Sequence, residues 1–199
     1  MTCSFNIEKK LINQKHSFIC GIDEVGRGSL FGPVVSGAVI LDPKRINPEI
    51  NDSKQINQKK RVILAEDIYK NALDFGIGWC WNEKIDDVNI LNATKISMKM
   101  AFMNLHIEPD YVLMDWINPD FLNVKGEGVI KGDSISISIA AASIIAKVFR
   151  DGLMVQFSDY FTGYNLDKNK GYPTSDHISS LKKTGITSFH RKSFKIKNG

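Results

Sequence analysis

Cys20-Gly21-Ile22-Asp23-Glu24-Val25-Gly26-Arg27-Gly28 is the stretch whose reading decides the rest of the chain. An apolar run ends on two adjacent carboxylates, and a glycine-arginine-glycine turn follows at once. The apolar and β-branched residues from Phe18 to Val25 predict a strand. Carboxylates suit hard cations such as magnesium or manganese. Glycines let a backbone approach a ligand closely, and the arginine between them offers a planar fork for phosphate. One short stretch therefore has the means both to hold a metal and to touch a phosphodiester.

Downstream, Pro33 to Leu41 predicts a second strand, ended by Asp42-Pro43, and Pro43 to Ser53 reads as a loop. Asn57 to Phe75 has helical spacing, with Val62, Ala65, Ile68 and Ala72 on one face and Gly76 as its stop. A short strand is expected over Ile77 to Trp81 and a second helix over Asp86 to Leu105. Tyr111 to Asp115 reads as a buried strand that ends on an acid, and Trp116 to Lys125 as a loop. Gly128 to Lys131 is a short strand or turn ahead of Gly132-Asp133. Ser138 to Tyr160 is the longest helix, and its small residues Ala140-Ala141-Ala142-Ser143 allow close packing on a sheet. Gly163 to Pro173 reads as a polar loop, and Thr174 to Thr184 as a short helix closed by Gly185. With no repeat, low-complexity tract or linker, the chain predicts one α/β domain over residues 1–199.

Charge is unevenly placed. The net charge is +4, but from Lys147 onward ten Lys or Arg face four Asp, whereas the first 146 residues carry a net of −2. An acidic body followed by a basic end suits a metal-dependent enzyme acting on nucleic acid, and it also suits a plain basic tail. Residues Met1 to Phe18 lack an apolar signal-peptide core. Ile135 to Ala146 is too short and too serine-rich to span a bilayer, so no membrane is expected. Cys3, Cys20 and Cys80 have no metal-ligand spacing and fit a reducing, cytoplasmic setting. His16, His106, His177 and His190 are scattered without zinc-site spacing; for His177 the expectation is a structural role in a short helix.

Asp115 ends a strand as Glu24 nearly does, and acids at strand ends lie where open α/β sheets tend to build their sites. Asp23, Glu24, Asp115 and Asp133 can therefore converge on one sheet edge. Left bare they would repel; two divalent cations about 4 Å apart would relieve this and could drive in-line phosphodiester cleavage. Consecutive side chains on a strand point to opposite faces, so Asp23 and Glu24 are expected to share a site only where the strand ends or bulges between them.

Gly21 to Gly28, followed by Phe31-Gly-Pro-Val34, resembles the opening signature of ribonuclease HII. The resemblance continues in order through Asp52-Ser-Lys54, the Asp115 strand, Lys131-Gly-Asp133 and Ser138 to Val148 with Arg150-Asp151. It then takes in Lys170-Gly-Tyr-Pro-Thr174, Asp176-His177 and His190-Arg-Lys-Ser-Phe194, and so covers nearly the whole chain. It implies a ribonuclease H-like fold: a mixed central sheet flanked by helices, with a basic helical C-terminal extension over 160–199. It implies cleavage of RNA in RNA–DNA hybrids and 5′ of single ribonucleotides in duplex DNA, leaving 3′-hydroxyl and 5′-phosphate ends, with two Mn2+ or Mg2+ ions. By motif, Asp23, Glu24, Asp115 and Asp133 match the metal-binding acids. Gly26, Arg27 and Gly28 match the loop that inspects the 2′-hydroxyl and adjacent phosphate, and Tyr172 the tyrosine at the RNA-to-DNA junction. Lys54, Lys147, Arg191 and Lys192 are candidates for backbone phosphates. The related ribonuclease HIII carries an extra N-terminal domain for which no room is expected here. No clamp-binding tail or obligate protein partner is expected, and a monomer is. Trp116 departs from the family, which usually has a small residue after this acid. A silent nucleic-acid binding module and a DNA-junction nuclease on the same fold are the other readings. The full set of acids speaks against the first, and the Gly26–Gly28 loop with Tyr172 against the second.

Overall fold

The computed structural model describes residues 3–195; the last four residues of the basic end lie outside them. A five-stranded mixed sheet organises the chain. Its strands are β1 (Ile19–Val25), β2 (Val34–Ile40), β3 (Asp74–Cys80), β4 (Tyr111–Asp115) and β5 (Gly126–Val129), in the order β3-β2-β1-β4-β5. β1 to β3 form an antiparallel meander, and β4 and β5 add in parallel beside β1. The helices are α1 (Asn6–Asn13), α2 (Gln58–Asn71), α3 (Asn82–Met103), α4 (Ile137–Tyr160), α5 (Leu166–Asn169) and α6 (Ser175–Thr184).

Each sheet face buries its own core. On one, Val39 meets Ala141 and Ile145 of α4 and Leu64 and Ile68 of α2. On the other, Ile22, Ala38 and Met114 meet Met98 and Ala101 of α3. The approach of α4 is close enough to exclude side chains beneath it. A Cβ on Gly21 would stand 2.1 Å from the Ser138 carbonyl carbon, and one on Gly37 2.4 Å from the Ala142 oxygen. This is the mixed, helix-flanked sheet of a ribonuclease H-like fold. After α4, the extension packs Tyr164, Leu166 and Leu181 against Leu30, Phe31 and Met154.

Several boundaries differ from the sequence expectation. The helix expected to run to Phe75 stops at Asn71, because Ala72 is extended (ψ 152°) and the Leu73 N–H already pairs with Ile40. Periodicity carried on through residues that the sheet claims, so β3 starts at Asp74. α3 begins at Asn82, ahead of a kink at Asn89 (φ 68°) that blurs its pattern. β5 starts at Gly126, where pairing with β4 outweighs the low strand preference of glycine. α5 lies within the expected loop, and α1 was not expected. α1 is anchored by Leu11 and by buried Glu8, whose carboxylate accepts from Ser136 Oγ (2.6 Å) and the Ser138 N–H (3.0 Å) at the start of α4. An anion at a helix N-terminus meets unpaired N–H groups and the positive end of the dipole. Among the described residues no helix is long and apolar enough to cross a membrane.

Candidate active site

β1 does not bend or bulge between Asp23 and Glu24. Its register with β2 is unbroken through Asp23–Gly37, Glu24–Ser36 and Val25–Val35. What changes is the other side: pairing with β4 ends at Ile22–Met114. Past that point β1 is open along one edge. Asp23 shares its face with Gly37 and so points toward α4, while Glu24 starts from the opposite face at the rim of the sheet. Both line one cavity of about 390 Å³, together with Asp115, Lys54, Lys147 and Tyr172.

The acids are buried and press on one another. Burial raises the pKa of Asp23 well above the usual carboxylate range, and the neighbouring charges of Glu24 and Asp115 push the same way. Burial also raises Glu24, against opposing hydrogen bonds and charge from Trp116 and Arg27. It raises Asp115, although Oδ1 accepts the Gly132 N–H at 2.7 Å. Asp133, 5% exposed, does not line the cavity; Lys54 Nζ reaches its Oδ2 at 2.8 Å and ties it to the rim. Among the described residues no three carboxylate, imidazole or thiolate groups form a ready-made cage. The donor chemistry suits a hard cation: all-oxygen, anionic, and including Glu24 Oε2, which is buried without a partner.

The side of the cleft beside the acids is built by Trp116 and Arg27, with Ser143 and Arg61 behind, two residues to which the sequence had assigned no role in the site. Trp116 takes a left-handed backbone (φ 52°) directly after Asp115 and turns the chain out of β4. Its indole N–H donates to Glu24 Oε1 at 3.0 Å, and the Arg27 guanidinium lies over the indole at 4.1 Å while reaching Glu24 at 3.3 Å. Ser143 of α4 bonds Ser53 (2.9 Å) and supports Asp23. Arg61 donates to the carbonyls of Ser53 and Ile56, fixing the turn that carries Lys54.

Gly26 needs its positive φ of 87°, and a Cβ there would stand 2.1 Å from Arg150 Nε. Arg150 is fully buried. It donates to the carbonyls of Pro33 (2.9 Å), Phe31 (2.9 Å) and Lys170 (2.8 Å) and to Ser29 Oγ (2.7 Å). One guanidinium thus ties the glycine loop to the segment before Tyr172. Arg191, expected at a phosphate, is turned inward: 3% exposed, it donates to the carbonyls of Gly32 (3.0 Å) and Arg27 (2.8 Å). Lys147 stands on the rim, 2.7 Å from Asp151 and 5.5 Å from the Tyr172 ring. The signal for Arg150 lay in the sequence: a cation in a helix otherwise apolar on its packed face must be paired.

The family model described as Ribonuclease HII matches residues 20–197. A curated Ribonuclease HII from Caldicellulosiruptor bescii is 46% identical over 194 residues, 98% of this chain and 94% of that protein. One from Pediococcus pentosaceus is 47% identical over 190 residues, 96% of this chain and 74% of that protein. Among solved structures, the RNase HII of a PCNA:RNase HII complex from Archaeoglobus fulgidus superposes with a TM-score of 0.78. It is 24% identical, over 92% of this chain and 98% of that one. A Bst-RNase HIII in complex with Mn2+ gives 0.60 at 21% identity, over 84% of this chain and 63% of that one. At these identities the structures speak for the fold alone.

Proposed function

The chain belongs to the ribonuclease HII family and is an endoribonuclease acting on the RNA of RNA–DNA hybrids, and from its site we propose that it also nicks duplex DNA 5′ of a single embedded ribonucleotide. The observation that carries this is one cavity lined by Asp23, Glu24, Asp115 and Tyr172, with the Gly26–Gly28 loop joined to it. Asp23, Glu24, Asp115 and Asp133 are proposed to hold two divalent ions, Mn2+ or Mg2+. When bound, such ions supply an activated water and stabilise the leaving oxygen, which yields 3′-hydroxyl and 5′-phosphate ends.

The protein's own part is binding and orientation. Trp116 and Arg27 hold one oxygen of Glu24, leaving the other directed elsewhere. Gly132 fixes one oxygen of Asp115, and Lys54 keeps Asp133 at the rim. The backbone of Gly26 to Gly28 is proposed to meet the 2′-hydroxyl, the local difference between RNA and DNA, which both donates and accepts. Tyr172 packs on the next sugar, where an extra hydroxyl would change the fit. Lys54 and Lys147 face backbone phosphate; Arg191 supports the loop from behind.

A labelled duplex with one ribonucleotide, incubated with Mn2+, with Mg2+ and with chelator, tests this. The expected result is one metal-dependent nick on the 5′ side of the ribonucleotide. Metal-independent binding without a nick would point to a silent binding module, and equal cleavage of an all-DNA duplex to a junction nuclease.

A further inference from the structure

Two buried histidines, used by nothing described so far, pair behind Tyr172, and one of them meets its backbone. His177 on α6 and His190 in the C-terminal segment are 0% and 2% exposed. His177 Nδ1 lies 3.0 Å from the Tyr172 carbonyl oxygen, and the two Nε2 atoms lie 3.2 Å apart. His190 Nδ1 lies 2.9 Å from the backbone N–H of Thr187.

These contacts fix both tautomers. A carbonyl only accepts, so His177 carries its proton on Nδ1 and, when neutral, leaves Nε2 a bare acceptor. The Thr187 N–H only donates, so His190 Nδ1 is bare and Nε2 carries the proton. The two facing nitrogens are thus one donor and one acceptor, and a single directed chain runs Thr187 N–H to His190 to His177 to the Tyr172 carbonyl. Burial, with the neighbouring imidazole, pushes His190 down to about 4, and burial lowers His177 as well. Both rings are therefore neutral at neutral pH, as the chain requires.

The far end of this chain is joined to the other recognition element. His190 bridges Phe31, and the next residue, Arg191, holds the Arg27 carbonyl. We infer that His177 and His190 are positioning residues that set Tyr172 against the Gly26–Gly28 loop, and thereby set the preference for a ribonucleotide-to-DNA junction over continuous RNA. The inference deepens the reading of Tyr172 given above and rests on it.

Three measurements separate the possibilities. In the wild-type protein, nitrogen-15 shifts of the imidazoles at neutral pH should show an Nδ1–H tautomer for His177 and Nε2–H for His190; the reverse tautomers or an imidazolium would overturn the relay. His177→Phe should lower the ratio of junction to continuous-hybrid kcat/KM about tenfold, whatever it costs in absolute rate. His177→Asn, which keeps a donor near the Nδ1 position, should recover most of that ratio. An equal loss on both substrates would reduce the pair to a structural role. Tyr172→Ala serves as reference. If it leaves the ratio unchanged, the reading of Tyr172 fails; if it shifts the ratio while His177→Phe does not, only the relay fails.

Discussion

The floor and the wall of the cleft are built on opposite plans. On the floor, Asp23, Glu24 and Asp115 sit at strand ends, buried or half-buried and mutually repelling, each with its pKa raised. In the wall, Gly26–Gly28 and Tyr172 are held by groups whose hydrogen bonds run to carbonyls and rings: Arg150, Arg191, His177 and His190. The floor stores unfavourable charge that a divalent cation held there, as proposed, would relieve. The wall holds a shape through directed hydrogen bonds, although Arg27 Nε and Arg191 Nη2 are buried in it without a partner. The first suits chemistry, the second recognition, and the difference implies that the two can be damaged separately.

The largest effect should come from the floor. Asp23→Asn or Asp115→Asn should lower cleavage of every substrate at least about a thousandfold, measured in single turnover. The same changes should leave the metal-free fold intact or make it more stable, because each removes a charge from a repelling set. The pH dependence has a definite sign. A carboxyl whose folded pKa is raised binds its proton more tightly folded than unfolded. Its protonated form favours the fold, and that advantage is lost as pH rises from the ordinary carboxylate pKa through the raised one. In chelator, thermal melts should therefore show the acids eroding stability as pH rises from about 4, Asp23→Asn should flatten that slope, and Mn2+ should restore the stability.

Next in size is the wall's central cation. Arg150→Met leaves the carbonyls of Pro33 and Lys170 without this donor and weakens the bonding of Phe31 and Ser29, and at about 1–3 kcal/mol for each unsatisfied buried group it should cost about 3–5 kcal/mol, read from urea unfolding. In contrast with the acid variants, it should lose stability as well as activity.

Much of the floor was legible in the sequence, as were Gly26–Gly28 and Tyr172 in the wall, but little of what holds that wall in place. Two acids closing an apolar strand declare themselves, since burial without a purpose is costly, and Asp115 repeats the pattern at the end of β4. The way Asp23 and Glu24 come to share a cleft was not legible. It depends on where β4 stops pairing with β1, after Ile22–Met114, and no local feature of either strand marks that point. Arg191 was misread because its charge in a basic tail looks like a phosphate contact, whereas its partners, Arg27 and Gly32, lie 164 and 159 residues away. The histidine pair shows the same limit: thirteen residues separate two rings that only the fold brings together. Trp116 stood out as a departure, but its hydrogen bond to Glu24, 92 residues earlier, is a product of the turn at φ 52°.

The smallest effect should come from that contact, where floor and wall touch. Trp116→Phe keeps a ring beneath Arg27 and removes only the indole N–H to Glu24. The loss should be about 1 kcal/mol, a roughly fivefold rise in the Mn2+ needed for half-maximal binding in a calorimetric titration. A change confined to substrate preference would instead assign Trp116 to the wall.

The most direct test of a separable floor and wall is a competition assay. A single-ribonucleotide duplex and a continuous RNA–DNA hybrid are cleaved together by the wild-type, Asp115→Asn and Tyr172→Ala proteins. The account predicts that Asp115→Asn loses both activities in equal proportion, so that the product ratio is unchanged, while Tyr172→Ala shifts the ratio against the single ribonucleotide. A shifted ratio in Asp115→Asn, or an unshifted one in Tyr172→Ala, would contradict it.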